Sequence, residues 1–408
     1  MLHVLACAWR PLSTEELIDA MAVDLQSNLG FDTQERLSAQ KVLSLCPSLI
    51  ATINETEEAL MAKPAIQQIK LCHPSVKEFL LSQQRIVLHG NSYALGWAYA
   101  NATMASICLS YLLTFNLKNS LNQQTTLQYP LAKYAARYWT HHFNNSGSSR
   151  NSYQWHLARL FCNDETFRNT YWNSIRLFDP ENPLLRPELD RGNNTIGLPL
   201  YHASATGCVE LVKFLLQNGA DVNAFGGRNC GTALHAACVY GHPHVVDILL
   251  DNGADINSVD GAYSDKVYWA AFSYSEMVLW TPLITVAFLG KEGIVEQLLG
   301  RGADPNIAQT SGYTALHFAV IRGHTGVVRR LLQHSANVNA LVNPGYPYGT
   351  ESALIMSVWR RDEQAFEALL ERNPDMTVRH PKYGTALDLA SKLGLRSMAE
   401  KLSGTSSG

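Results

Sequence analysis

The side chains best suited to metal binding or nucleophilic chemistry in this chain of 408 residues are eight cysteines and fourteen histidines. Thiolates and imidazoles hold zinc and also serve as nucleophiles or bases in enzymes. The cysteines form no C-x-x-C pair and no His–Cys cluster at metal-ligand spacing. They are predicted to be buried thiols in a reducing compartment: Cys7, Cys46, Cys72, Cys108, Cys162, Cys208, Cys230 and Cys238.

Motifs for catalysis are also missing from the sequence. It contains no nucleophile elbow, no H-E-x-x-H and no G-x-x-x-x-G-K-[ST] loop. We therefore predict that the chain is not an enzyme, and we expect no catalytic residue, no metal and no cofactor.

Two of the histidines, His235 and His317, belong instead to a motif that recurs along the second half of the chain. The string Asn218-Gly-Ala-Asp-Val-Asn returns as Asn-Gly-Ala-Asp-Ile-Asn at Asn252 and as Arg-Gly-Ala-Asp-Pro-Asn at Arg301. A second echo, Thr-Ala-Leu-His, begins at Thr232 and Thr314. Weaker copies of this second echo begin at Leu198, Thr281, Ser352 and Thr385. Similarity at a fixed period predicts a repeat architecture.

Each part of the repeated unit has a physical reason. The threonine can cap a helix and the histidine can bond across the turn, so His235 and His317 are predicted to be structural. Glycines such as Gly241 and Gly323 can end the first helix of a pair with a positive φ. The motif resembles the ankyrin repeat and covers residues 195–402 in about six copies. This resemblance implies a stack of helix pairs that binds a protein partner.

Two insertions interrupt the predicted repeats, at 258–279 and at 341–350. The first contains Tyr268 and Trp269, and the second contains Tyr346. Insertions in repeat proteins fall at loops and often on the binding face, so these aromatic residues are candidate contacts. The alternative is that they pack back on the stack.

Alignment of the copies predicts which first-helix residues are exposed. These candidate partner-binding residues should line one concave face, and aromatic and arginine side chains are common interface anchors. They are Tyr240, Phe288, Arg322, Trp359 and Arg360.

The first 82 residues predict a different domain. The segment from Arg10 to Leu17 has the signature of a helix start, with Ser13 or Thr14 as its cap. A second helix is expected at 38–46, a strand hairpin at 49–53 and 66–71, and a closing helix from His73. Two longer helices are expected at 100–115 and 131–143.

These N-terminal motifs resemble the winged-helix segment that follows the nucleotide-binding domain of fungal NACHT-ankyrin proteins. The resemblance depends on Arg10-Pro-Leu-Ser-Thr-Glu-Glu-Leu, Cys46-Pro-Ser-Leu-Ile, His73-Pro-Ser-Val-Lys-Glu-Phe-Leu and Tyr129-Pro-Leu-Ala-Lys-Tyr. The family's phosphate-binding loop is missing from the sequence, so the chain is expected to lack the NTPase. Either the gene is a shortened relative or its predicted start is truncated, and the sequence does not decide between them.

The predicted fold is therefore mainly α, with a winged-helix-like and helical N-terminal region followed by an ankyrin-repeat α-solenoid. Its segments are a winged-helix-like domain at 1–90, a helical region at 91–178, a Pro-rich linker at 179–194, the repeats at 195–402 and a tail at 403–408.

The charge and hydropathy of the chain disfavour binding to nucleic acid or a membrane and so favour a protein partner. A net charge of −3 gives no general attraction for nucleic acid or an anionic membrane, and no apolar run has membrane-spanning length. We expect a protein-interaction scaffold or regulator in the cytoplasm or nucleus, with an unknown protein partner and an oligomeric state that the sequence leaves open. A signalling or biosynthetic-pathway role is implied only by the family resemblance. A DNA-binding regulator is less favoured, because residues 1–82 hold six Lys/Arg against ten Asp/Glu.

Overall fold

The computed structural model of the chain describes residues 1–25, 31–54, 67–82, 86–88, 91–93, 96–113, 128–147, 155, 158, 198–226, 231–259, 280–309, 312–342 and 351–404. The chain forms two units, Met1–Pro199 and Leu200–Gly408. The predicted linker at 179–194 lies outside the described residues.

The first unit begins with short helices around a small sheet. Its elements are α1 (Leu2–Cys7), β1 (Leu12–Ser13), α2 (Thr14–Met21), a 3-10 turn (Thr33–Glu35), α3 (Ala39–Ser44), β2 (Ile50–Asn54), β3 (Gln67–Leu71) and α4 (Pro74–Leu81). The strands form an antiparallel sheet in the order β1-β3-β2. This arrangement of helices and a hairpin confirms the predicted winged-helix domain. The polar segment 54–64 between the two predicted strands would be the wing of this domain, and it lies outside the described residues apart from the backbone of Asn54.

Hydrogen bonds at the start of α2 explain why the chain turns into a helix there. The Ser13 hydroxyl accepts a bond from the Glu16 amide at 3.1 Å, and the Glu16 carboxylate accepts one from the Ser13 amide at 2.8 Å. This is a capping box, which satisfies two amides that the helix leaves unpaired. Arg10 pairs with the same carboxylate. Ser13, rather than Thr14, is therefore the cap.

Several elements of the first unit were not predicted from the sequence. They are α1, the two-residue strand β1, and the hairpin of β4 (Ile86–Leu88) and β5 (Asn91–Tyr93). Strands of two or three residues are too short to show a period. The predicted hairpin strands are present: β2 is shifted by one residue, and β3 begins one residue later than expected and ends at the expected residue.

Two long helices, α5 (Trp97–Leu113) and α6 (Ala132–Asn145), pack on each other, and α1 packs on α5. A buried hydrogen-bond chain links them. His142 Nδ1 lies 2.8 Å from Asn101 Oδ1, and His142 Nε2 lies 3.0 Å from the Tyr134 hydroxyl. Burial lowers the pKa of His142 to about 3, so the ring is neutral. The winged helix and the helical region thus share one core.

Six pairs of helices follow one another in the described part of the second unit. They are α7 (Pro199–Ala205) with α8 (Val209–Gln217), α9 (Ala233–Tyr240) with α10 (Pro243–Asp251), α11 (Pro282–Leu289) with α12 (Glu292–Gly300), α13 (Ala315–Arg322) with α14 (Thr325–Gln333), α15 (Ala353–Arg360) with α16 (Glu363–Leu370), and α17 (Ala386–Lys392) with α18 (Arg396–Gly404). From α9 onward, first helices stack on first helices, and second helices stack on second helices. The predicted ankyrin architecture is confirmed, and α18 extends two residues into the predicted tail.

A left-handed residue separates the two helices of each pair. It is Gly207, Gly241, Gly290, Gly323, Arg361 or Gly394. Glycine is needed here for a second reason besides its φ. A Cβ at Gly207 would lie 2.5 Å from the His242 ring, and one at Gly290 would lie 2.6 Å from the His324 ring. The next repeat therefore packs directly on the bare backbone of these turns.

The loops between helix pairs, the fingers, are joined by an asparagine ladder. Asn223 Oδ1 accepts a bond from the Asp255 amide at 2.8 Å, and Asn306 Oδ1 accepts one from the Asn337 amide at 2.7 Å. Asn257 and Asn339 make the same contact with the following finger. The ladder explains why the repeated string ends in asparagine, because the side-chain oxygen of this residue accepts a hydrogen bond from the backbone of the next copy.

Candidate functional site

The repeated threonine and histidine are structural, as predicted. The Thr314 amide donates to His317 Nδ1 at 3.1 Å, which leaves the ring proton on Nε2. Nε2 then donates to the Ala340 carbonyl of the following finger at 3.0 Å. Complete burial lowers the pKa of His317 to about 4. His235 bonds in the same way to Thr232 and to the Trp280 carbonyl.

The exposed surface of the first helices lies at their carboxyl ends. We define the turn edge as the two residues that precede each left-handed turn residue. In the described repeats these are Ala205, Thr206, Val239, Tyr240, Phe288, Leu289, Ile321, Arg322, Trp359, Arg360, Lys392 and Leu393. Earlier residues of α9, α11, α13 and α15 are buried. The turn edge is therefore the accessible part of these helices.

Trp359, Arg322 and Arg360 are exposed at this edge, as predicted. The Trp359 side chain is 60% exposed, the largest value among the large hydrophobic residues that the structure describes. Arg360 extends back over Gly323, where its Nη2 lies 3.3 Å from the place a Cβ would take. Tyr240 is half-buried, because it packs against Tyr201 and its neighbours in the first two repeats.

Phe288 does not have the predicted exposure. Only 4% of it is accessible, and its ring lies 5.1 Å from the Trp280 ring and 5.9 Å from the Phe318 ring, between centroids. The Arg322 guanidinium covers the ring at 4.5 Å. Trp280 comes directly before the cap of α11 and lies along that helix, so Phe288 is a core residue.

Three other candidates, Tyr268, Trp269 and Tyr346, lie outside the described residues. Whether they bind or pack therefore stays a prediction, as it was from the sequence.

A second exposed row, at the fingers, was not found from the sequence. Phe225, Val259 and Leu341 each stand two residues after a ladder asparagine, and they are 55%, 39% and 43% exposed. The signal was present in the repeat alignment, since an apolar residue recurs at one loop position. The fingers lie before the first helices, and the turn edge lies at the carboxyl ends of those helices. A helix of eight residues therefore separates the two rows by about 12 Å.

Charges are distributed unequally over the second unit. On the second helices, arginines pair with carboxylates of the preceding repeat: Arg301 with Asp251 at 2.5 Å, and Arg330 with Glu292 at 3.2 Å. Lys401 pairs with Glu367. At the turn edge, neither Arg322 nor Arg360 has an ion pair within the described residues. The exposed arginines there are available to an external carboxylate.

The described residues hold no cluster of three or more His, Cys, Asp or Glu side chains that could bind a metal. Among the helices that the structure describes, none is long and apolar enough to cross a membrane.

Comparison with known proteins gives two domain matches. Residues 182–260 and 283–380 match ankyrin repeats, and residues 1–89 match the winged helix domain of GPI inositol-deacylase. The chain is 33% identical over 225 residues to azaphilone pigments biosynthesis cluster protein L of Monascus ruber, covering 54% of this chain and 46% of the relative. It is 32% identical over 101 residues to an ankyrin repeat-containing protein of Schizosaccharomyces pombe, covering 24% of this chain and 45% of that protein. The matches span about half the length of each of these relatives.

Proposed function

We propose that this chain is a non-enzymatic scaffold or regulator that binds a protein partner along the turn edge of its ankyrin repeats. The observation that carries the proposal is Trp359, a large aromatic side chain that is mostly exposed. Next to it is Arg360, for which the described part of the chain provides no ion pair. Folding gains little from a tryptophan in that position, whereas aromatic and arginine anchors dominate the energetics of protein interfaces. The ankyrin match supports the same class of function.

The test is affinity purification of the tagged full chain from its native host, followed by cross-linking and mass spectrometry. Cross-links from the partner are expected to fall near residues 322 and 360. Trp359→Ala should reduce recovery of that partner. Phe225→Ala is the matched control, since it removes an aromatic side chain of similar exposure from the finger row. Equal recovery with wild type and Trp359→Ala would contradict binding at the turn edge.

A narrower role is suggested by the relative from Monascus ruber, whose name places it in a pigment biosynthesis cluster. In this second candidate, the chain is a relative of NACHT-ankyrin proteins that acts in a fungal sensing or biosynthetic context. The sequence holds no phosphate-binding loop, so the chain is expected neither to bind nor to hydrolyse ATP or GTP. Micromolar binding of a labelled nucleotide would contradict this part of the proposal. Gene neighbourhood and metabolite profiles of a deletion strain test the pathway.

DNA binding through the winged helix is the least favoured function. Its third helix carries Lys41 alone, and Arg36 is held by the buried Asp19 carboxylate at 2.7 Å. With ten acidic residues against six basic ones, residues 1–82 oppose a phosphate backbone. Salt-sensitive binding of a DNA duplex by the full chain would overturn this conclusion. The cytoplasmic or nuclear location stays a prediction from the sequence.

A further inference from the structure

Two arginines and a tryptophan lie together where the fourth and fifth repeats meet. We define the Arg–Trp patch as Arg322, Trp359 and Arg360. Arg360 reaches across to Gly323, the chain neighbour of Arg322, so the two basic side chains come from adjacent repeats to one turn. All three residues of the patch are exposed. Arg322 is held in place by its contact with the Phe288 ring.

No ion pair in the described part of the chain neutralises either arginine of the patch. The nearest carboxylate in the sequence, Asp362, is already engaged. Its Oδ1 accepts a bond from the Ala365 amide at 3.0 Å, and its Oδ2 accepts one from the Thr325 hydroxyl at 3.3 Å. No Asp or Glu occurs at any of the twelve turn-edge positions. By contrast, Arg301 and Arg330 on the second helices have carboxylate partners.

Two guanidinium groups whose charge no carboxylate in the described residues neutralises favour a negatively charged ligand. Guanidinium forms charge-assisted, bidentate bonds with carboxylates, and the exposed Trp359 face offers apolar contact beside them. Phosphate would also suit arginine, but the net charge of −3 disfavours a nucleic acid backbone. A protein segment that carries acidic and apolar residues fits both features.

We propose that the Arg–Trp patch recognises an acidic segment of a protein partner, with carboxylates on Arg322 and Arg360 and an apolar side chain on Trp359. This inference rests on the proposed function and specifies the chemistry of its partner. Because ion pairs at an exposed edge are screened by salt, the interaction should weaken as salt concentration rises.

The experiment selects binders to the full chain from a displayed library of short random peptides. We expect the enriched peptides to be rich in Asp and Glu, with an aromatic or aliphatic residue between the charges. Selected peptides are then synthesised with a fluorescent label, and their affinity is measured by anisotropy for each variant. Arg360→Glu should weaken binding by about tenfold or more, since it replaces attraction by repulsion.

Two further variants separate this effect from a folding defect. Arg360 makes no hydrogen bond or ion pair through its side chain in the described structure, so Arg360→Glu should unfold at nearly the wild-type denaturant concentration. Arg372→Glu makes the same charge change at another exposed arginine, outside the turn edge, and should leave peptide affinity unchanged. Arg322→Gln tests the second guanidinium without reversing its charge.

The inference would be overturned if the selection enriched neutral or basic peptides whose affinity is the same for Arg360→Glu and for wild type. A selection that enriches no peptide would also overturn it, as would a DNA duplex that competes with the acidic peptides at equal charge. None of these results contradicts the proposed function, because cross-linking to host proteins at the turn edge tests that separately.

Discussion

Replacing Phe288 and Trp359 separately by alanine tests the distinction between packing and binding at the turn edge. Both occupy the same position, two residues before the left-handed turn, in different repeats. Phe288 is 4% exposed and contacts Trp280, Phe318 and Arg322, whereas Trp359 is 60% exposed. The sequence alignment treats them as equivalent, but the structure predicts opposite consequences.

For Phe288→Ala, we expect a loss of unfolding free energy of about 3–5 kcal/mol, the usual cost of truncating a buried phenylalanine. The Arg322 guanidinium also loses the ring beneath it, a contact worth about 0.5–1 kcal/mol at a partly exposed position. For Trp359→Ala, we expect a loss within about 0.5–1 kcal/mol, because most of the indole is already in water.

The two variants should be compared by urea unfolding of the full chain, monitored by circular dichroism. Leu249→Ala serves as a core reference, since Leu249 is fully buried. This substitution should lower the unfolding free energy by about 2–5 kcal/mol. For partner affinity, the larger effect should come from Trp359→Ala, with a loss of about 2 kcal/mol in binding free energy. If Trp359→Ala destabilises the fold as much as Phe288→Ala, our assignment of Trp359 to binding is wrong, and the insertion at 258–279 becomes the better candidate.

Four further variants test individual residues of the repeats. Arg361 has a φ of 59° where other repeats have glycine, so Arg361→Gly should raise the unfolding free energy by about 0.5–1 kcal/mol, and Gly253→Ala, at a φ of 86°, should lower it. The pKa of His317 is lowered to about 4 in the folded chain, so its contribution is complete above pH 6.5 and is lost as pH falls toward 4, by about 3 kcal/mol in total. His317→Asn should show a smaller loss over that range in urea unfolding, and an unchanged pH dependence would contradict the assignment. Asn306→Ala should cost about 1 kcal/mol and speed hydrogen exchange at the Asn337 amide, which loses its acceptor; unaltered exchange there would show that the ladder does not protect it.

Much of the architecture was predictable because it depends on spacing. The Thr-Ala-Leu-His and Gly-Ala-Asp strings located the helix pairs, and the caps at Ser13 and Thr314 have the geometry that their residue types imply. The short strands β1, β4 and β5 were not predictable, because strands of two or three residues show no period, and β1 in addition pairs with β3, which is distant in the sequence. The finger row was overlooked because the asparagine ladder that fixes each loop is visible only between repeats.

Between the third and fifth repeats, the difference in exposure at the turn edge goes with the residue directly before the cap of the first helix. In the third repeat that residue is Trp280, which lies along α11 and covers Phe288, while Phe318 closes the site from the next repeat. In the fifth repeat the corresponding residue is Glu351, and no described aromatic ring contacts Trp359. The side chain that covers this position comes from a residue outside the helix. An alignment of the helices alone therefore cannot detect whether the position is buried. The same comparison explains why the aromatic side chain at this position is exposed in the fifth repeat and buried in the third.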